Sequence, residues 1–129
     1  MHKNIVTYQH INIEMTESEI LARLAAQALD EKKALDVQIL DLRSIPTAPA
    51  PFFVIASGNV PSHVSALSDN VGLVLKRAAD VLPHKVEGYA NAEWILMDYF
   101  DVIVHIFQKE KRDFYRLEQL WADGTRLKM

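Results

Sequence analysis

The sequence predicts a single α/β (α+β) domain, with a mixed sheet of about five strands and helices packed on it. Three observations carry this. The chain has 129 residues and half of them are hydrophobic, enough for one core. Short apolar runs of strand length, VQILDL and FFVIA, lie between segments whose apolar residues recur at helical spacing. The two kinds of segment alternate without a repeat, a low-complexity tract or a second domain.

Residues 1–15 have no helical period and read as an extension, loosely attached or adding a short edge strand, ahead of a domain over 16–129. Thr16 and Glu19 have the spacing of a capping box and open a helix. Ile20, Leu24 and Ala28, with Leu21 and Ala25 beside them, form its apolar stripe, and Glu31 to Lys33 end it. Val37–Leu42 is a short strand. Pro46, Pro49 and Pro51 in SIPTAPAP make a stiff connector. Phe52–Ala56, apolar throughout, reads as a strand covered on both faces.

SGNVPS is a turn in which Ser57 and Ser62 suit turn and N-cap positions. A second helix carries Val64, Leu67, Val71, Leu75, Ala78 and Leu82 in register and stops at Pro83. Lys85–Glu87 suits a short strand ending at Gly88. Trp94–Met97 and Val102–Phe107 form a hairpin around Asp98–Asp101. Phe114, Leu117, Leu120 and Trp121 stripe one last helix, its start KEKR solvated and its stop at Gly124.

The net charge of −3 disfavours binding nucleic acid through phosphates and suits a basic protein partner. The lack of cysteine excludes disulfides, thiolate metal sites and cysteine nucleophiles, and fits a reducing cytoplasm. No apolar run has the length of a membrane span, and no export signal opens the chain. His2, His10, His63, His84 and His105 lack metal-ligand spacing, so no metal is expected. Ser57, Ser62 and His63 form neither a nucleophile elbow nor a P-loop, although a helix start there can hold an anion weakly.

Strand alternation separates the hairpin into two faces. With Tyr99 and Phe100 as the loop, Asp98 pairs with Asp101, Leu96 with Ile103 and Trp94 with His105. Ile95, Met97, Val102, Val104 and Ile106 then make a purely apolar face that belongs under helices. Trp94, Leu96, Asp98, Asp101, Ile103, His105 and Phe107 make the other, mixing aromatic, acidic and imidazole groups as a contact surface does.

The run from Val86 to Gly124 holds Glu87-Gly88, Ala92, Trp94, Asp98, Asp101-Val102, Val104-His105, Phe107, Arg112, Tyr115, Leu117-Glu118 and Leu120-Trp121 in close order. Upstream, FVIASGNVPSH ends at His63. With these motifs, roughly residues 16–124 resemble the ribosomal silencing factors, also called the Iojap family. The resemblance implies a nucleotidyltransferase-like fold without the catalytic carboxylate motif. It implies a translation repressor, not an enzyme. Such a repressor binds the large ribosomal subunit at its basic protein number fourteen and blocks joining of the small subunit when nutrients are short. Two departures stand out. Phe100 occupies a turn position where the family usually has glycine, and SIPTAPAP replaces a connector that usually bears serine and aspartate.

Read this way, Trp94 is the aromatic anchor, Asp98 and Asp101 face basic residues, and His105 is a polar or pH-sensitive contact. Leu96, Tyr99, Phe100 and Ile103 complete the partner-binding set. No catalytic residue, metal or cofactor is expected, nor sequence-specific nucleic acid or a membrane. A competing reading is a nucleotide-binding or nucleotidyl-transferring enzyme using the Ser57–His63 loop, against which the missing paired carboxylates count. A third is a homodimer through the same face.

Overall fold

The computed structural model describes residues 5–8 and 13–128, so His2 and His10 and much of the expected extension lie outside the described residues. Strands β1 (Ile5–Tyr8) and β2 (Ile13–Thr16) pair antiparallel as a separate two-stranded sheet. Thr16 then caps α1 (Glu17–Glu31), its side chain accepting from the Glu19 backbone N–H at 3.2 Å. Only half of the expected box forms by this bond. The Glu19 carboxylate turns to Arg23, 3.1 Å away, and Arg43, 3.6 Å away.

The main sheet has six strands, ordered β5-β6-β7-β4-β3-β8: β3 (Leu35–Asp41), β4 (Phe52–Gly58), β5 (Lys85–Glu87), β6 (Trp94–Asp98), β7 (Val102–Gln108) and β8 (Thr125–Leu127). It is mixed, because β4 and β7 run parallel while every other neighbouring pair is antiparallel. β4 is buried along its whole length, as its unbroken apolar run requires. β8 was not foreseen. It is three residues long, pairs only with β3 and buries little, so no periodic pattern marks it.

α1 and α2 (Pro61–Ala79) cover one face of this sheet. Ala22, Ala25, Ala26 and Ala28 on α1 are small enough to let the helices approach closely. The buried Asn70 amide joins them by donating to the Ala28 carbonyl at 2.7 Å and to the Glu31 carboxylate at 3.1 Å. Beneath them lie Ile95, Met97, Val102, Val104 and Ile106, the face that alternation assigned to helices. At about 25 cal/mol per Å² of apolar surface buried, this layer is the main source of the fold's stability.

α2 departs from expectation at both ends. Its N-cap is Val60 with no side-chain cap, and Pro61 supplies the first turn, so neither Ser57 nor Ser62 caps it. It ends at Asp80 in the left-handed conformation, before Leu82 and Pro83, and Leu82 is 70% exposed.

The other face of the sheet is covered unevenly. The proline-bearing connector lays Ile45, Ala48 and Ala50 over it, and Leu117 and Trp121 cover the region beside them. The expected single last helix is two, α3 (Lys109–Tyr115) and α4 (Leu117–Leu120), broken at Arg116 with φ 51°. The side chains of Phe114 and Leu120 lie outside those described. Gly124 leads into β8, where an added Cβ would sit 2.5 Å from the Leu42 side chain.

Candidate functional site

The uncovered part of the second face is β6 with the β6–β7 turn. The hairpin register differs from expectation by two residues. Trp94 pairs with Phe107, Leu96 with His105 and Asp98 with Ile103. Parity survives an even shift, so the paired residues keep their faces, and Asp101, outside the pairing, turns to α1. The pairing of Asp98 with Asp101 does not survive. The turn is longer, closed by Tyr99 N–H to Val102 O at 2.9 Å and by Asp101 N–H to Tyr99 O at 2.9 Å.

Each carboxylate at this turn has a local task. Asp98 accepts the Phe100 backbone N–H at 2.8 Å, which braces the turn. Asp101 accepts the Ser18 hydroxyl at 3.0 Å, tying the turn to the start of α1. Phe100 sits at φ 69°, in the left-handed region where glycine is favoured. Its ring is 65% exposed and leans on His84, with centroids 4.5 Å apart.

Trp94 is half-buried. Its indole N–H donates to His105 Nδ1 at 3.1 Å, and its ring stacks on Phe107 at 5.1 Å. His105 is not a surface contact. It is 3% exposed, meets the Phe53 ring edge-on at 4.6 Å, and burial pulls its pKa down to about 3. Since Nδ1 accepts from Trp94, the neutral ring carries its proton on Nε2, which has no partner among the described residues. A pH-sensitive contact near neutrality is thereby corrected: the ring stays uncharged and positions the indole.

Tyr99 and Ile103 are corrected likewise. Tyr99 is 6% exposed, lies on the helix-covered side, and burial pushes its hydroxyl up to about 12. Ile103 is 8% exposed beneath the connector. The displayed set is thus Trp94, Leu96, Asp98 and Phe100, with Lys85 and Glu87 of β5 beside Asp98 and Leu96 on the same face, while the exposed Asp101 turns toward α1.

The Ser57–His63 loop is a joint. Asn59 N–H donates to His63 Nδ1 at 3.0 Å, and His63 Nε2 donates to the Lys32 carbonyl at 2.8 Å, linking the start of α2 to the end of α1. Ser57 is buried and accepts from Arg112 at 2.9 Å. KEKR is therefore not wholly solvated. The Arg112 guanidinium lies 6% exposed, also near the Leu35 carbonyl at 3.4 Å and Asp36 at 3.6 Å. A basic residue in a charged run gives no sign of this, because the groups that receive it come from β3 and β4.

The family model described as ribosomal silencing factor during starvation matches residues 15–129. The chain belongs to this family. Relatives named ribosomal silencing factor RsfS include one from Halalkalibacterium halodurans, 36% identical over 89% of this chain and 96% of the relative. One from Bacillus subtilis is 38% identical over 85% and 91%. A crystal structure of a Chromobacterium violaceum protein superposes with a TM-score of 0.78 at 32% identity, covering 88% of this chain and 92% of that one.

The motif residues of this silencing-factor chain divide by task. Gly88, at φ 83°, leaves no room for a side chain, since an added Cβ would lie 2.1 Å from the Trp94 carbonyl. His63, His105 and Arg112 hold elements together, while Trp94, Asp98 and Asp101 reach the surface. Among the described residues no helix is long and apolar enough to cross a membrane, and no His, Cys, Asp and Glu group could hold a metal ion.

Proposed function

We propose that this chain silences translation without catalysis, by binding the large ribosomal subunit and obstructing the small one when nutrients are short. What supports the reading most is membership of the ribosomal silencing factor family over residues 15–129. The contact surface is the open end of the second sheet face. Trp94 and Leu96 offer apolar area, Phe100 projects from the turn, and Asp98 and Asp101 face a basic ribosomal protein, number fourteen of the large subunit. Tyr99, Ile103 and His105 act from behind, fixing the turn and the indole. Tryptophan is among the residues most enriched in binding hot spots. Residues 16–129 form the acting domain, and its place of action is the cytoplasm.

An enzymatic reading of the Ser57–His63 loop has little to work with, since Ser57 and both imidazole nitrogens of His63 are already bonded within the fold. The deciding experiment is sedimentation of purified subunits with added protein. Co-migration with large subunits and a fall in joined ribosomes is the expected result. Undiminished joining at saturating protein would end the proposal.

A further inference from the structure

We propose that an arginine-lined cleft at the far edge of the same sheet face grips backbone phosphates of ribosomal RNA, giving the factor a second foothold beside its protein contact. The inference rests on the large-subunit reading above. The cleft has a volume of about 300 Å³ and is lined by Arg112, Asp113, Arg116, Gln119 and Arg126. Three guanidinium groups and one carboxylate line it, and Arg112 pairs with a second carboxylate, Asp36, at 3.6 Å, in a chain whose net charge is −3.

Each arginine is set by a different element. Arg112 is buried, its guanidinium held by Ser57 and paired with Asp36, so the grip falls to the other two. Arg116 stands at the break between α3 and α4, exposed, with φ 51° turning the chain there. Arg126 is the middle residue of β8 and pairs with Leu40, which puts it on the face that carries Trp94. Neither Arg116 nor Arg126 forms an ion pair with a described residue. A guanidinium matches phosphate oxygens in a two-pronged geometry, which suits these two exposed groups to an RNA backbone.

The charge layout selects the partner. β6 and β8 are four strand spacings apart, about 19 Å. Acidic groups mark the β6 end and arginines the β8 end. A ribosomal surface offers the complement, a basic protein flanked by phosphates. The overall acidity, which disfavours nucleic acid for the whole domain, does not apply to this local concentration of cations. Phosphate contacts position a protein without reading sequence.

The test pairs the double variant Arg116→Gln, Arg126→Gln with wild type and leaves Arg112 in place. Binding to purified large subunits is measured between about 50 and 200 mM salt, where each lost phosphate contact flattens the log–log slope by about 0.7–0.9. A flattening of about 1.5 is expected from two contacts. Hydroxyl-radical footprinting should show an RNA backbone segment protected by wild type and open with the variant. An unchanged slope and footprint, in a variant with the wild-type melting temperature, overturns the proposal. A flatter slope with an unchanged footprint overturns it too, by assigning the cleft to an acidic protein segment. Wild type that fails to bind large subunits at all removes the underlying reading, a result distinct from these.

Discussion

Between pH 6.5 and about 3, the unfolded chain accepts a proton on His105 that the folded chain refuses. Unfolding therefore takes up protons in this window. The stability contributed by the neutral ring is complete above 6.5 and drains as pH falls, by up to about 1.4 kcal/mol per pH unit. His105→Phe should flatten the stability–pH curve between pH 6.5 and 4.5, above the range where carboxylates titrate, as read by urea melts. A second prediction concerns Phe100. Phe100→Gly should raise stability by about 1 kcal/mol by relieving the left-handed strain. It should also weaken large-subunit binding, since the exposed ring is lost; unchanged affinity would strike Phe100 from the contact set. The family resemblance marked Phe100 as standing where glycine is usual, and its φ of 69° keeps the glycine geometry. The burial of His105 was not, because Phe53, from a distant segment, closes over the ring.

Among the elements, α3 is tied to β3 and β4 by the Arg112 side chain, which no pattern announces. Arg112→Ala should cost about 2–3 kcal/mol, because the buried Ser57 hydroxyl and the Leu35 carbonyl lose their donor, while the exposed Asp36 carboxylate returns to solvent. Ser57→Ala should cost only about 1 kcal/mol, as one hydrogen bond is lost. Urea midpoints of the two variants measure the difference, and equal costs would mean that the guanidinium is held otherwise. Long periodic elements were readable for a physical reason. α1, α2, β4 and the β6–β7 hairpin each bury a face, so their burial dictates residue type. The ends of α2, the break at Arg116 and β8 are set by backbone geometry and by partners far along the chain. Their sequences carry no period, and they were misplaced or missed.

For the whole molecule, the proposed contact predicts an electrostatic signature separable from folding. Asp98→Asn keeps an acceptor for the Phe100 N–H while removing the charge. It should leave the melting temperature unchanged and slow association with large subunits, the more so at low salt. An unaltered association rate would mean that this carboxylate serves the turn alone. Trp94→Ala is a poorer probe. It breaks the stack on Phe107 and leaves His105 Nδ1 without its donor, so a loss of about 3 kcal/mol in stability would accompany any loss of binding. Which hairpin residues share a face was legible from strand parity. How deep each residue lies on that face was not, because depth depends on the connector and on α4, whose positions no alternation encodes.

The two rims of the six-stranded sheet are both only three residues long, and charged groups sit on them: Lys85 and Glu87 on β5, Arg126 on β8. A rim of unpaired amides is a template on which other chains can polymerise, and a short, charged rim is a poor one. Concentrated protein should thus remain dispersed rather than grow ribbon-like aggregates. Of the surfaces that the main sheet offers, its broad side is left as the one fit for company.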